Sequence, residues 1–294
     1  SGEDRFYTNG FQVNYMKKDV PPRWLDHWVS FFPLFIQTDD KGGGYSFGQK
    51  IFTPEDVQSE ELVKDDRPYA GWLYGSASIV SLIREDASSR EMNAFELNIG
   101  IVGPSSLARD MQNGFHELTE SEGANGWKNQ LKHELGLNVT YVRQSEYFHH
   151  FGQSFEYSWS PRRVLALGNV YTYAGGGLMF RLGQSLKNDI GPPNIRPGLS
   201  GASFFGPART GKNWYVFGGL EGRLMARNIF LDGNTFQESH RVDKVPFVLD
   251  FQYGIAYQYG QLRFAFSHVL RSKEFEGQTG HVSFGTFNVS FFLN

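Results

Sequence analysis

The chain has 294 residues, a formal net charge of −3 from 28 Lys and Arg against 31 Asp and Glu, and no cysteine. Such a length suits one large barrel as well as two ordinary domains; the absence of a basic excess argues against a nucleic-acid partner, and disulfide or thiolate chemistry is excluded. No run of 18 apolar residues is present, which excludes a transmembrane helix, whereas 27 Phe, 14 Tyr and 34 Gly suit strands lined by rings and bent at glycines.

The opening SGEDRFYTNG has no signal-peptide pattern, so export has to be argued from the pattern of the mature chain. Alternating stretches recur from there to the end, and the predicted strands run 6–16, 44–53, 70–83, 92–102, 134–146, 151–163, 168–183, 213–229, 246–259, 261–272 and 281–292. In AFELNIGIVG, Phe95, Leu97, Ile99 and Ile101 alternate with Glu96, Asn98 and Gly100, the period of two that a half-buried strand requires. In NWYVFGGLEGRLMARN, Glu221, Arg223 and Arg227 share one face and Val216, Leu220 and Leu224 the other. Such a strand is satisfied if one face meets apolar surroundings and the other meets water or a paired polar lumen. Many of these stretches reach the ~9–11 residues needed to cross a bilayer at a tilt. Short junctions such as that at Gly260 alternate with long connections at 17–43 and 184–212, as in outer-membrane barrels. The expectation is all-β: a single antiparallel transmembrane β-barrel spanning 1–294, in the bacterial outer membrane and monomeric. Eleven strands are visible. A twelfth, pairing beside 6–16, is expected in the complete protein, since an odd count leaves an open edge. Gly260 should form a tight turn, with Phe251, Tyr253, Phe264 and Phe266 facing lipid. The alternative is a soluble antiparallel sandwich, whose strands also alternate.

One stretch breaks this rhythm. In the insert 104–133, Pro104 ends a strand and Ser105 or Ser106 can cap a helix. Met111 and Phe115 then fall at helical spacing, an acidic turn with Glu120 and Glu122 comes next, and a second short helix is predicted around 127–135. A helical insert of this kind sits over one mouth of the barrel. Within it, His116 can take a proton from water, Gln112 lies one turn back on the same face, and the nearby carboxylates could hold a hard cation. The competing reading of His116 is an ordinary surface histidine.

Other motifs are weaker. GPARTGKN at 206–213 fits a phosphate-loop skeleton, but Asn213 replaces Ser or Thr and no strand-to-helix unit surrounds it. DGN at 232–234 hints at a calcium loop, although a glycine turn explains it equally well. His149 and His150 are expected exposed at a hairpin turn, and no serine stands in a G-x-S-x-G elbow.

Taken together, DRFYTNGFQVNY at the start, DDRPYAGWLY at 65–74, NIGIVGPSS at 98–106, MQNGFH leading to Gly126 and Trp127, and FLDGNTF through HVLRSKEFEG resemble the lipid A 3′-O-deacylase family of Gram-negative outer membranes. The likeness covers essentially the whole chain in ordered motifs. It implies a twelve-stranded barrel hydrolase that removes the 3′-linked acyloxyacyl chain from lipid A in lipopolysaccharide, with Ca²⁺ as cofactor. By the same resemblance His116 matches the catalytic histidine, Gln112 and Thr8 residues that position substrate or water, and Glu122 a metal-site carboxylate. Two departures stand out. The family's Asn-Asp pair on an earlier strand has no counterpart, and TPEDVQSEE at 53–61 is acidic where the family has a basic residue. A non-enzymatic barrel, porin or structural, is the competing function. The charged residues Glu221, Arg223 and Arg227 speak for a paired plug rather than an open pore.

Overall fold

A computed structural model describes residues 9–119, 123–152, 154–188, 191 and 212–291. Within these, eleven antiparallel strands form one meander: β1 (Asn9–Lys18), β2 (Lys41–Phe52), β3 (Ala70–Glu85), β4 (Ser89–Val102), β5 (Glu134–Phe151), β6 (Phe155–Gly168), β7 (Tyr171–Gln184), β8 (Lys212–Asn228), β9 (Phe247–Tyr259), β10 (Leu262–Arg271) and β11 (Val282–Phe291). Each strand pairs with its sequence neighbours, and β1 and β11 each have one partner, on one side only, among the described residues. All eleven expected strands are present. Three helices interrupt them: α1 (Arg23–Val29), α2 (Ala108–Thr119) and α3 (Ile229–Asp232).

The two faces of the sheet differ as the alternation requires. Along β9 and β10, Phe251, Tyr253, Phe264 and Phe266 are exposed, each by 39–48%, while Gln252, Ala256, Arg263 and Ser267 between them are buried. Gly260 closes this hairpin at φ 59°, a left-handed conformation that costs glycine little. The polar face turns inward and is filled. Arg162 pairs with Glu221 at 2.9 Å, Arg223 with Asp250 at 2.8 Å and Arg271 with Asp250 at 2.8 Å, all buried. Glu146 is held by Arg90 at 2.7 Å and by Arg181. Beside this network, Phe52 stacks on Phe230 at 4.1 Å and Lys50 lies over the rings of Trp72, Tyr74 and Tyr171 at 5.6–5.9 Å. These contacts join β2 to β7 and to α3, so the sheet curls until inward side chains from its early and late strands meet. A cavity beside Arg162, Glu221 and Asp250 measures about 10 Å³, room for roughly one water. The plug expected from β8 is there, though Arg227 serves the rim instead, donating to the carbonyl of Asn169 at 2.9 Å.

Two connections depart from the sequence expectation. The stretch 17–43 contains α1, which the pattern did not reveal, and the second helix expected at 127–135 is only a one-turn 3-10 helix at Gly126–Asn129, because β5 already begins at Glu134. The weaker motifs resolve as turns or strand ends. Lys212 opens β8, so the GK of GPARTGKN leads into a strand and not a helix; residues 206–211 lie outside the described residues. Gly233, at φ 77°, makes the DGN turn. His149 stacks on Tyr157 and both 149 and 150 are exposed at the end of β5.

Candidate active site

The chain between β4 and β5 reaches its insert through Gly103, at φ 93°, and Pro104, which opens a one-turn 3-10 helix at Pro104–Ser106. Leu107 then adopts a left-handed conformation, so the α-helix starts only at Ala108. This kink turns α2 back onto the wall. On β2 the outward set begins with exposed Tyr45 and Phe47 and continues with Gln49 and Ile51, which are buried because the insert covers them. On β3 the contact is closer still: a Cβ on Gly71 would lie 2.1 Å from Ser106 Oγ and 2.3 Å from Ala108 Cβ. A glycine is therefore required at that point. Gln49 Nε2 donates to the carbonyl of Ser106 at 2.5 Å and fixes the same junction. The insert thus stands at this mouth and leans on the outward face of β2 and β3.

A small apolar cluster of Ile51, Tyr69, Ala108, Ala124 and Trp127 supports the helix from below. Tyr69 and Trp127 pack with ring centroids 5.0 Å apart, and a Cβ on Gly126 would lie 2.5 Å from the Tyr69 ring. Tyr69 donates its hydroxyl to the carbonyl of Val57 at 2.9 Å, and burial pushes its pKa up to about 12. The phenol is therefore a neutral donor throughout the working pH range. Burial likewise raises the Asp66 carboxyl above its ordinary value, although the backbone amides of Glu55 and Arg67 donate to it at 2.6 and 2.7 Å. The acidic loop 53–69 is thereby a tied buttress: Asn125 N donates to the carbonyl of Val57 at 2.9 Å.

Against this support α2 presents polar groups. Gln112 is 2% exposed and accepts a hydrogen bond from Trp127 Nε1 at 3.0 Å. Its Nε2 and the neighbouring Asn113 Oδ1 are buried with no hydrogen-bond partner among the described residues. An unpaired buried amide atom costs about 1–3 kcal/mol, so a water or ligand at this point would have two adjacent groups to satisfy. Met111, expected on the helix's apolar face, is instead 49% exposed, and the covered positions are Ala108 and Gln112. The glycine junction accounts for Ala108, since it admits only a small side chain there.

The sequence-predicted site residues divide accordingly. Gln112 is in place. The backbone of His116 lies within α2, one turn beyond Gln112. Thr8 and Glu122 lie outside the described residues. Missed from the residues alone were Asn113, Tyr69 and Gly71, although MQNGFH and YAGW both belong to the motifs that carry the family likeness. Among the described residues no three histidine or acidic groups converge as a metal site would require.

Comparisons with known proteins agree with this fold. The family model described as outer membrane protein LpxR matches residues 1–293. The chain belongs to that family. Among solved structures, LpxR from Salmonella typhimurium shares the fold with a TM-score of 0.80 at 21% identity, covering 99% of this chain and 90% of that one. Comparison with curated proteins gives no match. Membership in the LpxR family identifies the lipid A 3′-O-deacylase family that the motifs resemble and places this β-barrel in the outer membrane.

Proposed function

We propose that this LpxR-family barrel is a carboxylic ester hydrolase that removes the 3′-linked acyloxyacyl chain from lipid A of lipopolysaccharide. One observation carries the reading: the buried, unpartnered Gln112 Nε2 and Asn113 Oδ1 lie one turn before His116, on a helix held against the outward wall. A substrate with its acyl chains in the membrane approaches that wall laterally and need not enter the barrel.

In this reading His116 acts as general base, taking a proton from a water that attacks the ester carbonyl. The tetrahedral oxyanion collapses, the C–O bond to the sugar 3′ oxygen breaks, and His116 returns the proton to that leaving oxygen. Gln112 Nε2 is a donor suited to the oxyanion or the water, and Asn113 Oδ1 an acceptor suited to the water or a sugar hydroxyl. One preorganised donor of this kind is worth about 2.7–4 kcal/mol in barrier. Thr8 as a positioning residue belongs to the same proposal. So does calcium, through Glu122. The described residues do not by themselves assemble a calcium site, and the proton transfers are carried by the chain's own residues.

The porin alternative is disfavoured by the filled interior, where buried Arg162, Glu221, Arg223 and Asp250 pair with one another. Mass spectrometry of lipid A from cells expressing the full chain tests the function. Loss of the 3′ acyloxyacyl group is expected, with His116→Asn reducing it by about 10²–10⁴-fold while the folded barrel persists, and His149→Asn changing little. Unaltered lipid A from the parental chain, or parental activity in the His116 variant, would overturn it.

A further inference from the structure

Beside α2 lies an open cleft of about 620 Å³ lined by Arg109, Asn113, Lys128, Lys132, His133 and Gln237, among others. None of the residues lining it is acidic. Three carboxylates of flanking segments have partners of their own. Glu60 and Glu61 meet Lys128 at 3.8 and 3.5 Å as exposed surface pairs, and Glu134 accepts from Asn169 and Asn234 and from the backbone of Thr235. Among the described residues neither Arg109 nor Lys132 has an ion-pair partner. His133 Nδ1 accepts the backbone N–H of Ser105 at 3.3 Å, which leaves Nε2 as the ring's donor, and Gln237 Nε2 donates to the carbonyl of His133 at 2.6 Å and holds that corner. A second tie comes from Asn234, whose Oδ1 accepts from Lys132 N at 2.9 Å and whose Nδ2 donates to the Lys132 carbonyl at 2.9 Å. Among the described residues the lining thus carries several cationic donors and no carboxylate of its own, on backbone tied at Lys132 and His133.

We propose that this cleft binds the phosphate monoester carried on the sugar carbon next to the ester that is cut. The inference rests on the lipid A reading above. The chemistry connects the two sites: the 3′ ester and the 4′ phosphate sit on adjacent ring carbons, and Asn113, which lines the cleft, is three residues from His116 on the same helix. A dianionic phosphate can accept from the Arg109 guanidinium, the Lys132 ammonium and His133 Nε2, a forked donor joined by two point donors. Its capture fixes the sugar's orientation relative to α2 and delivers the neighbouring ester to the helix.

The test uses the full chain in detergent micelles, with lipid A and its 4′-dephosphorylated form as paired ligands. The contacts from Arg109 and Lys132 are worth roughly tenfold each, so together they should make the parental chain bind and deacylate the phosphorylated lipid about 10²-fold better. The Arg109→Gln/Lys132→Gln variant should lose that ratio while keeping the parental rate on the dephosphorylated lipid. Millimolar inorganic phosphate should compete in the parental chain and not in the variant, and competition without any lipid preference would mean a free-phosphate site and overturn the proposal. Binding is measured in parallel on His116→Asn, so that absence of turnover sinks the hydrolase reading alone. An unchanged binding ratio between parent and double variant sinks the phosphate site, and a gel shift on heating verifies that the variant is folded.

Discussion

Two helical segments lean on the outward face of the same curled sheet, at opposite ends, and they are built in opposite ways. At one end α1 and the chain after it bury Leu25, Val29 and Phe35 against Ala77, Ile79 and Phe95 of the wall. Every polar link there is completed: Asn93 both donates to and accepts from Ile36, at 3.1 and 2.7 Å, Tyr141 donates to the carbonyl of Leu34 at 2.7 Å, and Lys41 meets Asp26 at 2.7 Å. At the other end α2 rests on a glycine junction and keeps two buried amide atoms without partners. Satisfied apolar packing contributes stability and offers little chemistry. Unsatisfied polar groups cost stability and are retained where a ligand supplies the missing partners. The contrast fits the proposed reading, with stability at the α1 end and function at the α2 end, and it breaks if substitutions at either end show the other's effect.

The largest effect is expected from Leu25→Ala. Leu25, on the covered side of α1, is fully buried, and truncation of such a side chain costs about 2–5 kcal/mol. Unfolding in denaturant should show that loss, whereas deacylation at a temperature where the variant is folded should match the parent. Reduced activity in the folded variant would mean that the α1 end also serves the reaction.

Next is Gly71→Val, which strikes the other end. Its side chain would occupy the space of Ser106 Oγ and Ala108 Cβ and lift the start of α2 from β3. A displacement of about 1 Å in a reacting constellation costs on the order of 10²-fold in rate, about 2.7 kcal/mol of barrier. The wall's own hydrogen bonds are untouched, so the denaturation midpoint should move far less than in Leu25→Ala. A variant that kept parental activity would show that contact between α2 and the wall is not what organises the site.

The sequence revealed the strands because both faces of this sheet have unambiguous surroundings. Val216 and Leu220 face outward and Glu221 and Arg223 inward without exception, and the resulting period survives over whole strands. The end of β5 was less legible, since the strand runs on through Phe148 and the exposed His149 and His150 to Phe151. The helix α1 was hidden for a physical reason: only Leu25 and Val29 of its seven residues are buried, and the exposed Trp24 and Trp28 blur the helical stripe. Within the candidate site, the family motif drew attention to His116 and Gln112, and the plain residues of MQNGFH could not tell that the side-chain oxygen of Asn113 is buried and unpaired. That property depends on how Trp127 and Tyr69 pack from a distant part of the chain, and on the identity of residue 71. The filled lumen was legible in part, as the charges of β8, but their partners Arg162 and Asp250 come from two other strands, and Arg271, which shares Asp250, from a third.

The smallest effect belongs to the turn between β3 and β4, at the α1 end. Asp86 accepts the backbone amides of Ser88 and Ser89, both at 2.7 Å, and the hydroxyls of the same two residues at 3.0 and 2.9 Å. These donors, the Ser88 amide foremost, hold its carboxyl well below the usual carboxylate range. The unfolded chain, titrating at about 3.9, then binds the proton more readily than the folded one, so stability from this turn is present above about pH 4 and is lost as the pH falls toward the folded value. Because the group is exposed, water screens the effect and the shift in midpoint should be small. Thermal unfolding of Asp86→Ala against the parent should show a lower midpoint at pH 7 and a narrower gap at pH 3, with deacylation at pH 7 unchanged. A gap of equal size at both pH values would mean that the carboxylate's charge contributes nothing, and that the turn is held by its backbone alone.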